Sequence, residues 1–230
     1  MAKPQLVVLD MAGTTVADDG LVLQAFTSAI GAVGVDPAGP DYPRMLAYVH
    51  ATMGQSKISV FRTLLARDES RARAANAYFE AVLHDLVEDG RCAPVPGAEE
   101  AIGRLRAAGV KVALTTGFGR DTQQAVLTAL GWHDIADLVL CPADAGRGRP
   151  YPDLVLTAVL RLGVDDVRAV ATAGDTAFDV LCGLRAGASL ATGVLTGAHK
   201  RPELEKAGAT HVLDSVRDLP DLVLGASAPG

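Results

Sequence analysis

The chain has 230 residues, about one and a half average domains, so length alone points to one domain carrying a sizeable insertion. With 49% hydrophobic and 21% charged residues, and no repeat or low-complexity tract, global disorder is excluded. A formal charge of -6 without any basic run argues against a reader of nucleic-acid backbones, and no apolar stretch is long enough to suggest a membrane span.

The first predicted strand is Leu6 to Leu9, a continuous apolar run that stops at Asp10. The run is too short for a secretion signal. The cysteines, Cys92, Cys141 and Cys182, are odd in number and widely spaced, which fits a reducing compartment. Both features lead us to expect a cytoplasmic protein. About a hundred residues then pass before the next strand. Within them, Leu21 to Gly34, Pro43 to Thr52, Ser56 to Arg67 and Glu69 to Asp89 all carry helical spacing. Pro94, Pro96 and Gly97 mark the return.

From there apolar runs alternate with helical segments. Strands are predicted at Lys111 to Thr115, Leu138 to Cys141, Ala169 to Ala173, Leu190 to Val194 and Thr210 to Leu213. Near-continuous apolar character is what strands covered on both faces of a parallel sheet require. Five helical segments end in a glycine, at Gly109, Gly131, Gly163, Gly187 and Gly208, the residue that most readily adopts the left-handed helix stop. The expected fold is therefore a doubly wound, Rossmann-like α/β sheet, with 1–15 and 96–230 forming the core and 16–95 a helical cap inserted after strand one.

In such a sheet ligands bind beyond the carboxyl ends of the strands. Three of those ends carry polar side chains: Asp10-Met11-Ala12-Gly13-Thr14-Thr15, then Thr116-Gly117, then Gly174-Asp175-Thr176-Ala177-Phe178-Asp179. An Asp capping a turn would read the same as Asp10 taken alone. Together the segments bring a hydroxyl and two or three carboxylates to one edge, a set that a hard cation such as Mg²⁺ would stabilise. Asp179 reads either as a support for this set or as a helix N-terminal charge. Arg149, in Gly148-Arg149-Pro150-Tyr151-Pro152, is a permanently charged fork suited to an anion, or a surface arginine in a turn.

These four elements, in this order, resemble the haloacid dehalogenase superfamily of phosphotransferases over about Gln5 to Leu213. The resemblance implies that Asp10 is the nucleophile taking a phosphoryl group, and that Thr116, Gly117 and Arg149 hold phosphate. It further implies that Mg²⁺ is bound by Asp10, Ala12 and Asp175, with Thr14 and Asp179 in support. Phosphatases of the superfamily carry a second Asp two positions after the nucleophile as general acid. Here that position is Ala12.

The Asp-x-Ala-Gly-Thr pattern, with Arg in place of the core Lys, resembles the phosphonoacetaldehyde hydrolase (phosphonatase) branch. Those enzymes break a carbon-phosphorus bond through a cap lysine that forms a Schiff base, so no acid is needed beside the nucleophile. Their lysine lies in a Met-Gly-x-x-Lys segment, and this chain has Met53-Gly54-Gln55-Ser56-Lys57, so the resemblance adds Met53 and Gly54 to the substrate-binding residues and Lys57 to the catalytic ones. Only 5 of its 21 basic residues are lysines, and Lys57 is the single lysine of the expected cap. Arginine cannot form the imine at neutral pH. Against the branch, Val60 and Phe118 stand where phosphonatases carry a His and a Tyr, and Asp18-Asp19-Gly20-Leu21 lacks their Cys.

Three functions follow as expectations: cleavage of phosphonoacetaldehyde or a related aldehyde phosphonate, hydrolysis of a small phosphate ester, or binding of phosphate and Mg²⁺ without turnover. Phosphonatases pair through cap helices. The alanines of Ala72 to Ala81 would suit a homodimer or internal packing equally. His84 and His133 have no partner at a metal or triad spacing, and the cysteines are expected to be buried small hydrophobes.

Overall fold

In the computed structural model, which describes residues 3–225, the first strand β1 (Leu6–Asp10) is followed by four helices. These are α1 (Leu21–Ala32), α2 (Tyr42–Ala51), α3 (Lys57–Leu64) and α4 (Glu69–Glu88). The alternating part comprises α5 (Ala98–Ala107), β2 (Lys111–Thr115), α6 (Arg120–Ala129), β3 (Leu138–Leu140), α7 (Pro142–Ala145), α8 (Asp153–Arg161), β4 (Val170–Gly174) and α9 (Ala177–Ala186). It ends with β5 (Leu190–Val194), α10 (Arg201–Lys206), β6 (His211–Leu213) and α11 (Leu219–Leu224). The expected boundaries hold to within a few residues, and the five glycines proposed as helix stops all have positive φ.

All five strand pairings are parallel, in the order β3-β2-β1-β4-β5-β6. β1 is central, and its neighbours depart to opposite sides, which creates the crevice in which such sheets bind ligands. Period-two alternation sorts its side chains between two layers. Val7 and Leu9 pack with Ile102 and Leu105 of α5 and Leu219 of α11, whereas Leu6 and Val8 pack with Leu154 and Ala158 of α8 and Cys182 of α9. Register then aligns Asp10 with Thr115 on one side and Leu9 with Ala173 on the other, so three strands end at one level.

The inserted helices build an apolar cluster of their own. Phe26 stacks on Phe61 with ring centroids 5.5 Å apart, and Phe79 meets Phe61 edge-on at 6.1 Å. Ala72 and Ala75 of α4 are fully buried in this cluster, whereas Ala74, Ala77 and Ala81 are exposed, so packing within the chain accounts for two of the five alanines. Two minor expectations are corrected. Cys92 is half-buried, unlike Cys141 and Cys182, because it sits in the exposed return loop. His84 does face a partner: its Nδ1 lies 3.8 Å from Glu88 Oε2, one turn along α4. No helix among the described residues is long and apolar enough to cross a membrane.

Candidate active site

Beyond β1 the chain turns tightly, with the Met11 carbonyl accepting from the amides of Thr14, Thr15 and Val16 at 3.1, 2.9 and 2.8 Å. The turn leaves Asp10 at the strand end, buried, with Ala12 on the wall of a cleft. Asp175 follows β4. Asp179 lies in the first turn of α9, where it accepts from the Thr176 amide at 3.1 Å while Thr176 Oγ1 accepts from the Asp179 amide at 3.3 Å, a reciprocal helix cap.

Asp10, Asp175 and Asp179 each bring a carboxylate oxygen within 4.8 Å of the others. Asp175 is fixed by the Ala198 amide at 2.7 Å and touched by Thr14 Oγ1 at 3.4 Å. The surrounding backbone approaches so closely that a Cβ at Gly197 would lie 2.0 Å from Asp175 Oδ2, and one at Gly13, where φ is +84°, 2.6 Å from it. Burial is the main force lifting the acidities: it raises Asp175 to about 7, reinforced by the charge of Asp179. Asp10 is likewise raised well above the carboxylate range by burial, against the opposing pull of Arg149. Three crowded, desolvated carboxylates are a donor set that fits a hard divalent cation, which would remove both penalties.

Arg149 is buried, not on a surface turn. Its Nη2 donates to Asp10 Oδ1 and, at 3.0 Å, to Thr115 Oγ1; its Nε lies 2.7 Å from Asp179 Oδ1. Burial opposes its charge, but the two carboxylates outweigh that and hold the guanidinium protonated. Its Nη1 reaches the Gly54 carbonyl at 3.3 Å, linking the sheet edge to the inserted helices.

The opposite wall of the cleft comes from that insertion. Met53, Gly54 and Lys57 face Asp10, Thr116, Gly117, Arg149 and Asp175 across it. Gly54 has φ +87°, and a Cβ there would meet Thr176 Oγ1 at 2.4 Å, so glycine is what lets the two walls close. Lys57 opens α3. Its amine lies 5.9 Å from the centre of the Phe79 ring, and its stem borders an apolar pocket with Val22, Phe26, Val60 and Phe61. Burial lowers its pKa, with a smaller push from Arg149, while Asp18 and Asp10 pull the other way.

The structure thus brings nine of the sequence candidates onto one cleft and sets Thr14 and Asp179 directly behind it. Sequence reasoning missed Thr115, which steadies Arg149, and Glu80 of α4, which accepts from the Gly119 amide at 3.0 Å and from Thr122 Oγ1. It also missed His199, whose Nδ1 accepts from the Ala177 amide at 3.0 Å. Asp18 stands in the sequence reading only as part of a loop that lacks the branch's Cys. None of these lies in a motif; a polar residue at a strand end was the one available signal, for Thr115.

Residues 4–187 match the family described as haloacid dehalogenase-like hydrolase. The chain belongs to that family. As a member of it, this hydrolase is 30% identical over 94% of its length to a probable phosphatase IndB of Dickeya dadantii, covering 92% of that protein. It is 27% identical over 97% of its length to a phosphonoacetaldehyde hydrolase of Pseudomonas fluorescens SBW25, covering 93%. Among solved structures, a phosphonoacetaldehyde hydrolase-like protein from Oleispira antarctica superposes with a TM-score of 0.82 at 24% identity, over 98% of this chain and 93% of that one. The match covers sheet and inserted helices together, so the architecture of this hydrolase is the family's own.

Proposed function

We propose that this hydrolase is Mg²⁺-dependent and cleaves the carbon-phosphorus bond of phosphonoacetaldehyde or a close aldehyde phosphonate, with residues 16–95 acting as a cap domain over a core of 1–15 and 96–230. The observation that carries this reading is Lys57: a desolvated lysine on the cleft wall opposite Asp10, in a site where Ala12 supplies no acid. Lowered basicity keeps part of the amine population neutral and nucleophilic.

Asp10, the backbone of Ala12 and Asp175 would hold the cation, with Asp179 beside them. When bound, it screens the negative charge of carboxylates and phosphonate oxygens against each other. Arg149 and the Thr116-Gly117 segment orient the phosphonate. The Lys57 amine attacks the aldehyde carbon, water leaves, and a protonated imine forms. Asp10 then attacks phosphorus; the electrons of the breaking carbon-phosphorus bond pass into the imine and give an enamine. Protonation of the enamine carbon and hydrolysis free acetaldehyde and Lys57, while water attacks the aspartyl phosphate and releases phosphate. Borohydride added with substrate should fix a reduced adduct on Lys57, detected by peptide mass spectrometry; absence of any adduct in the active enzyme overturns the mechanism.

A second reading, hydrolysis of a small phosphate ester, is favoured by Val60 and Phe118 in place of the branch's His and Tyr, and by the similarity to a probable phosphatase. Under it, Lys57→Arg keeps ester turnover and Asp10→Asn removes it.

A further inference from the structure

Imine chemistry moves protons as well as electrons, and the positions that carry them in the resembling enzymes are here Val60 and Phe118, neither of which holds an exchangeable proton. The titratable side chains lining the cleft are Asp10, Asp18, Lys57, Arg149 and Asp175. Arg149 is held protonated by its two carboxylate partners, and Asp10 and Asp175 belong to the acidic cluster at the sheet edge. Asp18 is the one left over.

Its setting suits an acid. Asp18 opens the turn that leads into α1, its carbonyl accepting from the Leu21 amide at 2.7 Å; its side chain is half-buried, with Oδ1 accepting from the Val22 amide at 3.0 Å and Oδ2 without a protein partner among the described residues. Val22 lines both the cleft and the apolar pocket beside Lys57, so the bond holds the carboxyl at the mouth of that pocket. The charged groups around the pair are Asp19 on the same loop, Lys57 from α3, Glu80 from α4, Asp10 from β1 and Arg149. Burial raises the Asp18 pKa, opposed by the Val22 bond and by Lys57, which enlarges the fraction protonated in the working pH range.

We propose that Asp18 is the general acid and base for imine formation and hydrolysis at Lys57. This rests on the Lys57 reading above. The neutral amine bonds to the aldehyde carbon, and one of its protons passes to the carbonyl oxygen to give a carbinolamine. The Asp18 carboxylic acid then gives its proton to that hydroxyl, which leaves as water while the nitrogen lone pair forms the iminium bond. Asp18 ends as a carboxylate. After carbon-phosphorus cleavage the enamine carbon takes a proton from solvent; the Asp18 carboxylate then takes a proton from the water attacking the imine, which restores the acid, and the carbinolamine splits into acetaldehyde and the neutral amine as its hydroxyl proton passes to nitrogen.

The test measures the rate at which borohydride-trapped Lys57 adduct accumulates with phosphonoacetaldehyde in wild type, Asp18→Asn and Asp18→Glu, together with the pH profile of turnover. Asparagine keeps the oxygen that accepts from Val22, so the fold is preserved while the acid is removed; a thermal melt matching wild type checks this. The expected result is an adduct in all three, forming about 10²-fold or more slowly in Asp18→Asn, with the high-pH limb displaced and much of the rate recovered in Asp18→Glu. Trapping and pH profile in Asp18→Asn equal to wild type would overturn the role of Asp18 and leave Lys57 standing. No adduct in active wild type overturns the Lys57 reading and this inference with it.

Discussion

The two walls of the cleft are built on different physics. At the sheet edge, polar groups hold polar groups: Arg149 bridges Asp10 and Asp179, Thr115 steadies Arg149, and the Ala198 amide pins Asp175. On the inserted wall, the Lys57 amine has no hydrogen-bonded partner among the described residues, and its side chain packs beside Phe61, Phe79 and Val60. An edge of charge-paired side chains suits the phosphoryl group shared by both proposed substrate classes. A wall shaped by apolar packing can change its substrate by changing a few side chains. Relatives of similar identity carry both kinds of name, a probable phosphatase and a phosphonoacetaldehyde hydrolase.

The largest effect expected to sharpen the contrast is Asp10→Asn. It should lower phosphate release by about 10⁴-fold or more from phosphonate and ester substrates alike, because it removes the nucleophile proposed for both. Lys57 should remain trappable in this variant. Phosphate release that persists at wild-type rate would take the nucleophile away from the edge. Next comes Lys57→Arg, which keeps the charge and most of the volume. Phosphonate turnover should fall about 10³-fold, and any phosphate-ester turnover less than tenfold, since covalent catalysis is lost only for the aldehyde. Equal losses for both substrate classes would break the division of labour between the walls.

The same division decides how much could be read from the sequence. Strands and helices were legible because β1 to β6 are near-continuous apolar runs and the helix stops are glycines with positive φ. Edge residues were legible because chemistry fixes both type and place: a carboxylate at the end of β1 and another after β4 can be recognised without knowing what they touch. The burial of Arg149 was not legible, since nothing in Gly148-Arg149-Pro150 says that its guanidinium turns inward between two carboxylates. Nor was the bond from the Gly119 amide to Glu80, which spans 39 positions and depends on how α4 lies on α6. Contacts made by packing leave no short-range pattern.

Gly54→Ala tests the seam between the walls. The added methyl would approach Thr176 Oγ1 to 2.4 Å, and alanine would have to hold the left-handed conformation that Gly54 adopts, which costs about 1–2 kcal/mol. A drop of about tenfold in kcat/KM is expected, with KM carrying most of it, because the insertion can no longer settle on the edge. An unchanged KM would mean that closure does not need this approach.

The smallest effect is a dependence of stability on pH and magnesium, and it belongs to the edge alone. Burial raises the folded Asp175 pKa from 3.8 to about 7, above its value in the unfolded chain. Between those values the unfolded chain has released its proton and the folded one still holds it. The stabilisation is therefore complete below about pH 4, declines as pH rises, and is gone once pH has passed 7. The metal-free protein should melt at progressively lower temperature between these limits. Magnesium needs the ionised carboxylates and so competes with those protons, and its stabilising effect grows with pH. Scanning calorimetry should show a larger magnesium-induced rise in Tm at high pH than at low pH, and Asp175→Asn should remove both that rise and much of the metal-free decline. A rise of equal size across the range would mean that the cation binds elsewhere than among Asp10, Asp175 and Asp179, and the edge would lose the charge balance on which the comparison of the two walls rests.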